Sequence, residues 1–141
     1  MTAACVVIRE LPIGALDERT LLGDGHRGFG ELWYRTAVVE GEEAGFVVVD
    51  GPKIVKVGVL ERFRRRGVGS ALLVEAVERA RRSGHDVCEL YVRPDNDEAI
   101  RLYKRHDFRR AAVLREYYGP GQPAVRMERR LRAEDSRILN S

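Results

Sequence analysis

The order of patterns along this chain predicts a mixed α/β domain, a mostly antiparallel central sheet with helices on both faces. Three observations carry that prediction. β-rich runs follow one another closely between Trp33 and Leu60. An apolar repeat of helical period then replaces them at Val68, Leu72, Ala76 and Ala80. A strand, a second helix and two closing β-like runs complete the order.

Taken in turn, Cys5 to Arg9 reads as a first strand, followed by Pro12 and a weakly helical, glycine-interrupted stretch from Leu16 to Gly30. Trp33–Glu40 and Gly45–Asp50 form a hairpin pattern around Gly41-Glu42-Glu43-Ala44. Asp50-Gly51-Pro52 signals a second turn, and Lys53–Leu60 a further strand, so the three runs make an antiparallel meander. The first clear helix buries Val68, Leu72, Leu73, Ala76, Val77 and Ala80. Its outer face offers Glu75/Arg79 and Glu78/Arg82 pairs at i,i+4, and it ends at Ser83-Gly84. Val87–Val92 is the next strand. Pro94-Asp95-Asn96 opens a helix to about His106, and Ala111–Tyr118 and Ala124–Leu131 close the sheet.

The 141 residues suit one domain, expected over 1–131, with 132–141 a flexible charged tail. A composition of 44% hydrophobic and 33% charged residues describes a globular chain, and no apolar run approaches the roughly 20 residues of a membrane span. Arg9 and Glu10 break the N-terminal apolar stretch, which argues against a signal peptide. Cys5 and Cys88 lie far apart in apolar surroundings and read as buried free thiols, which points to a reducing cytoplasm. His26, His85 and His106 have no partners at ligand spacing, so no metal site is expected and structural or surface roles suit them. The net charge of +3 is mild, but its positive part is concentrated in Arg62, Arg64, Arg65 and Arg66 and again in Arg79, Arg81 and Arg82.

The first arginine run leads into Gly67-Val68-Gly69-Ser70 at the start of a helix. Glycines here bare the backbone where the helix offers unsatisfied N–H groups, an arrangement that binds phosphate, and the arginines add charge suited to a pyrophosphate. The bland alternative is a tight turn beside a solvated charge run. No Gly-Lys-Ser/Thr follows, as a P-loop requires, and the third glycine of the dinucleotide fingerprint is missing.

The segment Val59-Leu60-Glu61-Arg62-Phe63-Arg64-Arg65-Arg66-Gly67-Val68-Gly69-Ser70 resembles the acetyl-CoA signature of the GNAT superfamily of N-acetyltransferases, with Glu61 where proline is common. Val92-Arg93-Pro94-Asp95-Asn96-Asp97-Glu98-Ala99-Ile100-Arg101-Leu102-Tyr103, running on to Asp107-Phe108, is similar to the family's second signature. Asp107 stands at the usual glycine. The resemblance spans roughly residues 33–131 and implies a GNAT-like fold with acetyl-CoA as acetyl donor.

It further implies that Arg64, Arg65, Arg66, Gly67, Val68, Gly69 and Ser70 surround the CoA pyrophosphate. Val57, Gly58 and Val59 would pair with the pantetheine arm, and Asn96 would touch that arm as well as cap its helix. Tyr103 is implied as the general acid that protonates the departing thiolate, and a half-buried core aromatic is the alternative for that position.

The acceptor half matches more loosely. Arg115-Glu116-Tyr117-Tyr118 and Ala124-Val125-Arg126-Met127 resemble the branch that acetylates ribosomal-protein and other protein N-termini, which makes Tyr91, Tyr117 and Tyr118 candidate acceptor contacts, hairpin aromatics being the alternative for the last two. Pro123 replaces that branch's aspartate, and Tyr91 stands where it carries glutamate or histidine. The base is therefore open: Glu89 acting through water is one option, and an ordinary solvated strand carboxylate is the alternative for that position.

The expected reaction is direct attack by a primary amine on the thioester within a ternary complex, in a monomer or homodimer without membrane or nucleic-acid partners. A peptide α-amine is preferred as acceptor over a polyamine or aminoglycoside-like amine, for which Glu40, Glu42 and Glu43 offer acidic attraction. A non-catalytic acyl-CoA-binding or nucleic-acid-binding module is the alternative of another class.

Overall fold

The computed structural model describes residues 6–10 and 32–131. The expected weak helix of 16–30, Cys5, His26 and the tail of 132–141 lie outside the described residues. The described elements are β1 (Val6–Glu10), β2 (Leu32–Val39), β3 (Glu42–Asp50), β4 (Lys53–Val59), a 3-10 turn (Glu61–Phe63), α1 (Val68–Arg82), β5 (Val87–Val92), α2 (Asp97–Arg105), β6 (Arg109–Leu114) and β7 (Ala124–Arg130). The strands form one sheet in the order β1-β2-β3-β4-β5-β7-β6. Every pairing is antiparallel except that of β4 with β5.

Alternation along the strands sets the core. Val47 and Val49 of β3, Leu90 and Val92 of β5, and Val125 and Met127 of β7 join Leu72, Leu73, Ala76, Val77 and Ala80 of α1 and Ile100 of α2 in one buried cluster. Val48, which alternates with Val47 and Val49, is also fully buried, so the sheet is shielded on both faces at its centre. Thr36 is buried but satisfied, its hydroxyl donating to the Gly45 carbonyl at 2.9 Å. Cys88 is a free thiol on the core side of β5, and burial pushes its pKa up to about 12, which keeps it inert.

Several boundaries differ from the sequence expectation for local reasons. The first hairpin turns at Glu40-Gly41, with φ of 51° and 81°, and Glu42–Ala44 already belongs to β3. Two adjacent residues at positive φ are what a two-residue turn requires if it is to match strand twist. β4 ends at Val59, one residue before Leu60. On α1, Glu78 pairs with Arg81 at i,i+3 rather than with Arg82, and no Glu75–Arg79 ion pair forms among the described residues. Tyr117 and Tyr118 lie in a turn after β6, not on a strand. That turn is closed by Tyr118 N–H donating to the Gln122 carbonyl and Gln122 N–H to that of Gly119.

Asp107 holds φ at 67° just beyond α2, the left-handed conformation expected where the family pattern has glycine. A side chain there carries a conformational penalty. Asp107→Gly should therefore stabilise the protein by about 0.5 to 1 kcal/mol, part of the αL cost being offset by glycine's greater freedom when unfolded. Equilibrium urea unfolding measures it, and an unchanged or lower midpoint would show that the aspartate makes up the difference through its own contacts.

Candidate active site

β4 and β5 pair only through Lys53–Glu89 and Ile54–Leu90. Beyond those pairs the ladder stops, and the C-terminal half of β4 lines a cavity of about 530 Å³. Its walls come from three sources. Val57 and Val59 belong to β4; Arg64, Arg65, Gly67, Val68, Gly69 and Ser70 belong to the turn and the first turn of α1; Asn96, Ala99, Leu102 and Tyr103 come from α2 and its cap. Glu98 and Arg105 complete it. Thus ten of the expected cofactor and catalytic positions are gathered around one cavity, namely Val57, Val59, Arg64, Arg65, Gly67, Val68, Gly69, Ser70, Asn96 and Tyr103.

Gly58 and Arg66 are placed otherwise. Gly58 faces the Phe46 ring across the ladder, where an added Cβ would sit 2.6 Å from Phe46 Cε1. Arg66 and Arg62 lie over the Phe63 ring at 5.6 and 4.9 Å, and Arg62 also pairs with Glu42 at 3.3 Å. Phe63 is buried, so it anchors the arginine loop while its two flanking cations are drawn to its face. Of the four-arginine run, Arg64 and Arg65 are left to line the cavity.

The loop between β4 and α1 has the backbone of an anion cradle. Gly67 is the N-cap residue of α1 at φ 80° and supplies no side-chain cap. The first-turn amides therefore lack the usual side-chain acceptor. Arg65 is held at φ 65°, a strained conformation for a residue with a Cβ. Gly69 permits close approach: a Cβ there would lie 3.3 Å from Leu102 Cδ2 and 3.7 Å from Val59 Cγ2. These features fit a phosphate-bearing nucleotide arm, with bare amides, adjacent guanidinium groups and room beside them.

Asn96 caps α2, its Oδ1 accepting from Ala99 N–H at 3.2 Å, while also lining the cavity. Tyr103 is half-buried against Phe108, ring centroids 6.1 Å apart. Burial first, and the nearby Tyr118 second, raise the pKa of its phenol above the ordinary 10. It is protonated at neutral pH and can act as a proton donor. The Ser70 hydroxyl and His106 Nε2 lie 2.5 Å apart, tying the first turn of α1 to the cap of α2. Burial, then Arg129 and Arg105, lower the His106 pKa against an opposing pull from Asp107, so the ring is neutral at pH 7.

The three tyrosines singled out for the acceptor meet in space. Tyr91 and Tyr117 stack at 4.5 Å and 6°, and Tyr118 meets Tyr117 edge-on at 4.9 Å. Lys53, which the sequence did not mark, donates to the Tyr117 hydroxyl at 2.8 Å and lies 4.6 Å above the Tyr91 ring. Arg93 covers Tyr118 at 4.2 Å. Glu89 shares the Tyr91 face of β5 and is half-buried. No group of His, Cys, Asp and Glu among the described residues could hold a metal, and no described helix is long and apolar enough to cross a membrane.

Known proteins of one family resemble this chain. The sequence pattern of the acetyltransferase (GNAT) family matches residues 11–108. An N-alpha-acetyltransferase of Sulfurisphaera tokodaii is 34% identical over 115 residues, 69% of this chain and 68% of that protein. Among solved structures, Ard1 from Thermoplasma volcanium superposes with a TM-score of 0.72 at 32% identity, covering 89% of this chain and 97% of that one. A GNAT family acetyltransferase from Elizabethkingia anophelis, solved with acetyl-CoA bound, shares the fold with a TM-score of 0.74 at 15% identity over 89% of this chain and 98% of its own. On the site geometry, the matched pattern and these relatives, the chain belongs to the GNAT family and is an acetyl-CoA-dependent N-acetyltransferase.

Proposed function

We propose that the chain acetylates a peptide α-amine by direct attack within a ternary complex, with the donor in the cavity lined by β4 and the acceptor at the tyrosine cluster. The observation that carries this reading is the early end of the β4–β5 ladder, with the α1 cradle beside the far half of β4 and Tyr91, Tyr117 and Tyr118 clustered on β5 and the turn after β6. The relatives named N-alpha-acetyltransferase support the peptide acceptor.

Acetyl-CoA supplies an activated acetyl thioester. The first-turn amides of α1, with Arg64 and Arg65, hold its pyrophosphate, and β4 at Val57–Val59 offers backbone groups to its extended arm. Tyr103, protonated at neutral pH, holds the proton that the leaving sulfur must receive. Holding both reactants side by side replaces a bimolecular encounter with an effectively unimolecular step. Glu89, two residues before Tyr91 on the same strand face, is the carboxylate that would receive the amine proton through water.

Thermal melting in the presence of acetyl-CoA, free CoA, NAD, ATP or duplex DNA tests the donor side. At about 100 times its dissociation constant a native-state ligand adds about 2.7 kcal/mol, roughly 5 to 10 °C for a domain of this size. Stabilisation is expected with the two CoA species alone. A salt-sensitive response to DNA without a CoA response would assign the arginine loop to nucleic acid instead. On the acceptor side, initial rates with N-terminal peptides should exceed those with lysine side-chain peptides, polyamines and aminoglycosides, and the reverse order would replace the peptide reading.

A further inference from the structure

We propose that Lys53 and Arg93 make the acceptor side selective for amines that carry a carboxylate close by, an acidic peptide N-terminus above all. The inference rests on the reading that acceptors bind at the tyrosine cluster, and it names what that cluster prefers.

Lys53 opens β4, and its ammonium is fixed by one hydrogen bond to the Tyr117 hydroxyl and by the faces of Tyr91 and Tyr117, at 4.6 and 5.4 Å. Arg93 follows β5 and lies over Tyr118 at 4.2 Å. Among the described residues neither cation has a carboxylate within ion-pair distance. Glu89 is in register with Lys53 across the short β4–β5 ladder, yet the two form no ion pair. A lysine ammonium has three N–H donors, and the phenol takes one of them. Ring faces attract cations but do not neutralise them.

The next strand adds to the same sign. Arg126 of β7 is in register with Tyr91, and its Nε is buried without a hydrogen-bond partner among the described residues. Glu89 and Glu128, in register with each other, are the opposing charges on these strands. Lys53, Arg93 and Arg126 thus outnumber the two carboxylates, and Lys53 and Arg93 retain unused donors beside the tyrosine rings, with Arg126 adding charge behind them. A ligand carboxylate satisfies those donors. A polyamine or aminoglycoside would instead bring several ammonium groups against them, a like-charge arrangement that costs binding. The same field disfavours the ammonium form of the acceptor amine and favours the free base that attacks, a help in a site whose strand carries Tyr91 where a stronger base would serve.

The test is kcat/KM for short N-terminal peptides identical except for Glu, Ala or Lys at the second position, with spermidine and a free acidic amino acid as further acceptors. The expected result is a preference for Glu over Lys of about tenfold at low ionic strength, the scale of exposed charge interactions changing sign, shrinking as salt is added. Lys53→Glu should abolish or invert the ratio and Lys53→Arg should preserve it, with the acetyl-CoA melting shift reporting that each variant is folded. Turnover of the free amino acid at the rate of the Glu peptide would assign the carboxylate contact to a small acceptor, still as inferred here. Equal rates for Glu and Lys peptides, or a preference that survives Lys53→Glu, overturns the inference and leaves the peptide reading standing. Spermidine turnover without any peptide turnover overturns both.

Discussion

Tyr103→Phe should lower kcat by about 10²-fold or more when chemistry limits the rate, because a positioned general acid contributes about 10² to 10⁴. The substitution removes one oxygen and leaves the ring beside Phe108, so the α2 packing and the cavity wall are kept. Acetyl-CoA binding, read by the melting shift, should change little. The pH profile separates this role from a structural one. A general acid works while protonated, and the Tyr103 pKa is raised by burial and then by Tyr118. The alkaline limb of the wild-type profile should therefore lie above the ordinary tyrosine value, and the variant should lack that limb. Single-turnover rates that are unchanged would remove Tyr103 from the chemistry and leave it as a wall of the cavity.

Gly45→Ala should cost about 2 to 3 kcal/mol of stability, the upper part of the range for overpacking a tight site. A Cβ at Gly45 would lie 2.4 Å from the Gly58 carbonyl oxygen, 3.3 Å from Val59 Cα and 3.2 Å from Leu72 Cδ1. Two of those neighbours are backbone, which cannot rotate away. β3 and β4 would have to separate at the stretch of β4 that lines the cavity. Urea unfolding should show the loss, with a melting temperature lower by very roughly 6 to 12 °C. Gly41→Ala provides the contrast. Nothing lies within 4 Å of its added Cβ, so its φ of 81° alone is penalised, at about 1 kcal/mol. Similar losses at the two positions would mean that the β3–β4 backbone relaxes around the methyl.

The legible parts of this fold were those with local causes. Val68–Arg82 follows from its apolar period and its glycine ends, and Val87–Val92 alternates cleanly between core and surface. The cradle could be read because Gly67 and Gly69 have little reason to open a helix unless the backbone itself is needed. Long-range placement was hidden. Nothing in Arg109–Leu114 or Ala124–Arg130 says that β7 inserts between β5 and β6, since neither run by itself specifies its neighbour. The arginine run could not be divided in advance, because Arg62 and Arg66 are claimed by a phenylalanine between them whose burial is a tertiary fact. The contacts of Lys53 are hidden in the sequence for the same reason: its partners Tyr91 and Tyr117 are distant along the chain. Tyr117 and Tyr118 fall outside the strand that the sequence pattern extends to them, because β6 ends at Leu114 and the chain turns through Gly119 and Gly121.

The brief pairing of β4 with β5 bears on mechanics as well as chemistry. A sheet joined there by Lys53–Glu89 and Ile54–Leu90 is nearly two sheets, β1 to β4 and β5-β7-β6, meeting at a narrow seam. α1 spans that seam, touching β2, β3, β4 and β5, and acts as a strap across it. A reactant laid along the free edge of β4 would supply the strand that the ladder lacks. Acetyl-CoA would then be a removable splint. The enzyme would be stiffest when loaded and loosest once its product has left, with the slackness concentrated along one line through the middle of the molecule rather than spread through its loops.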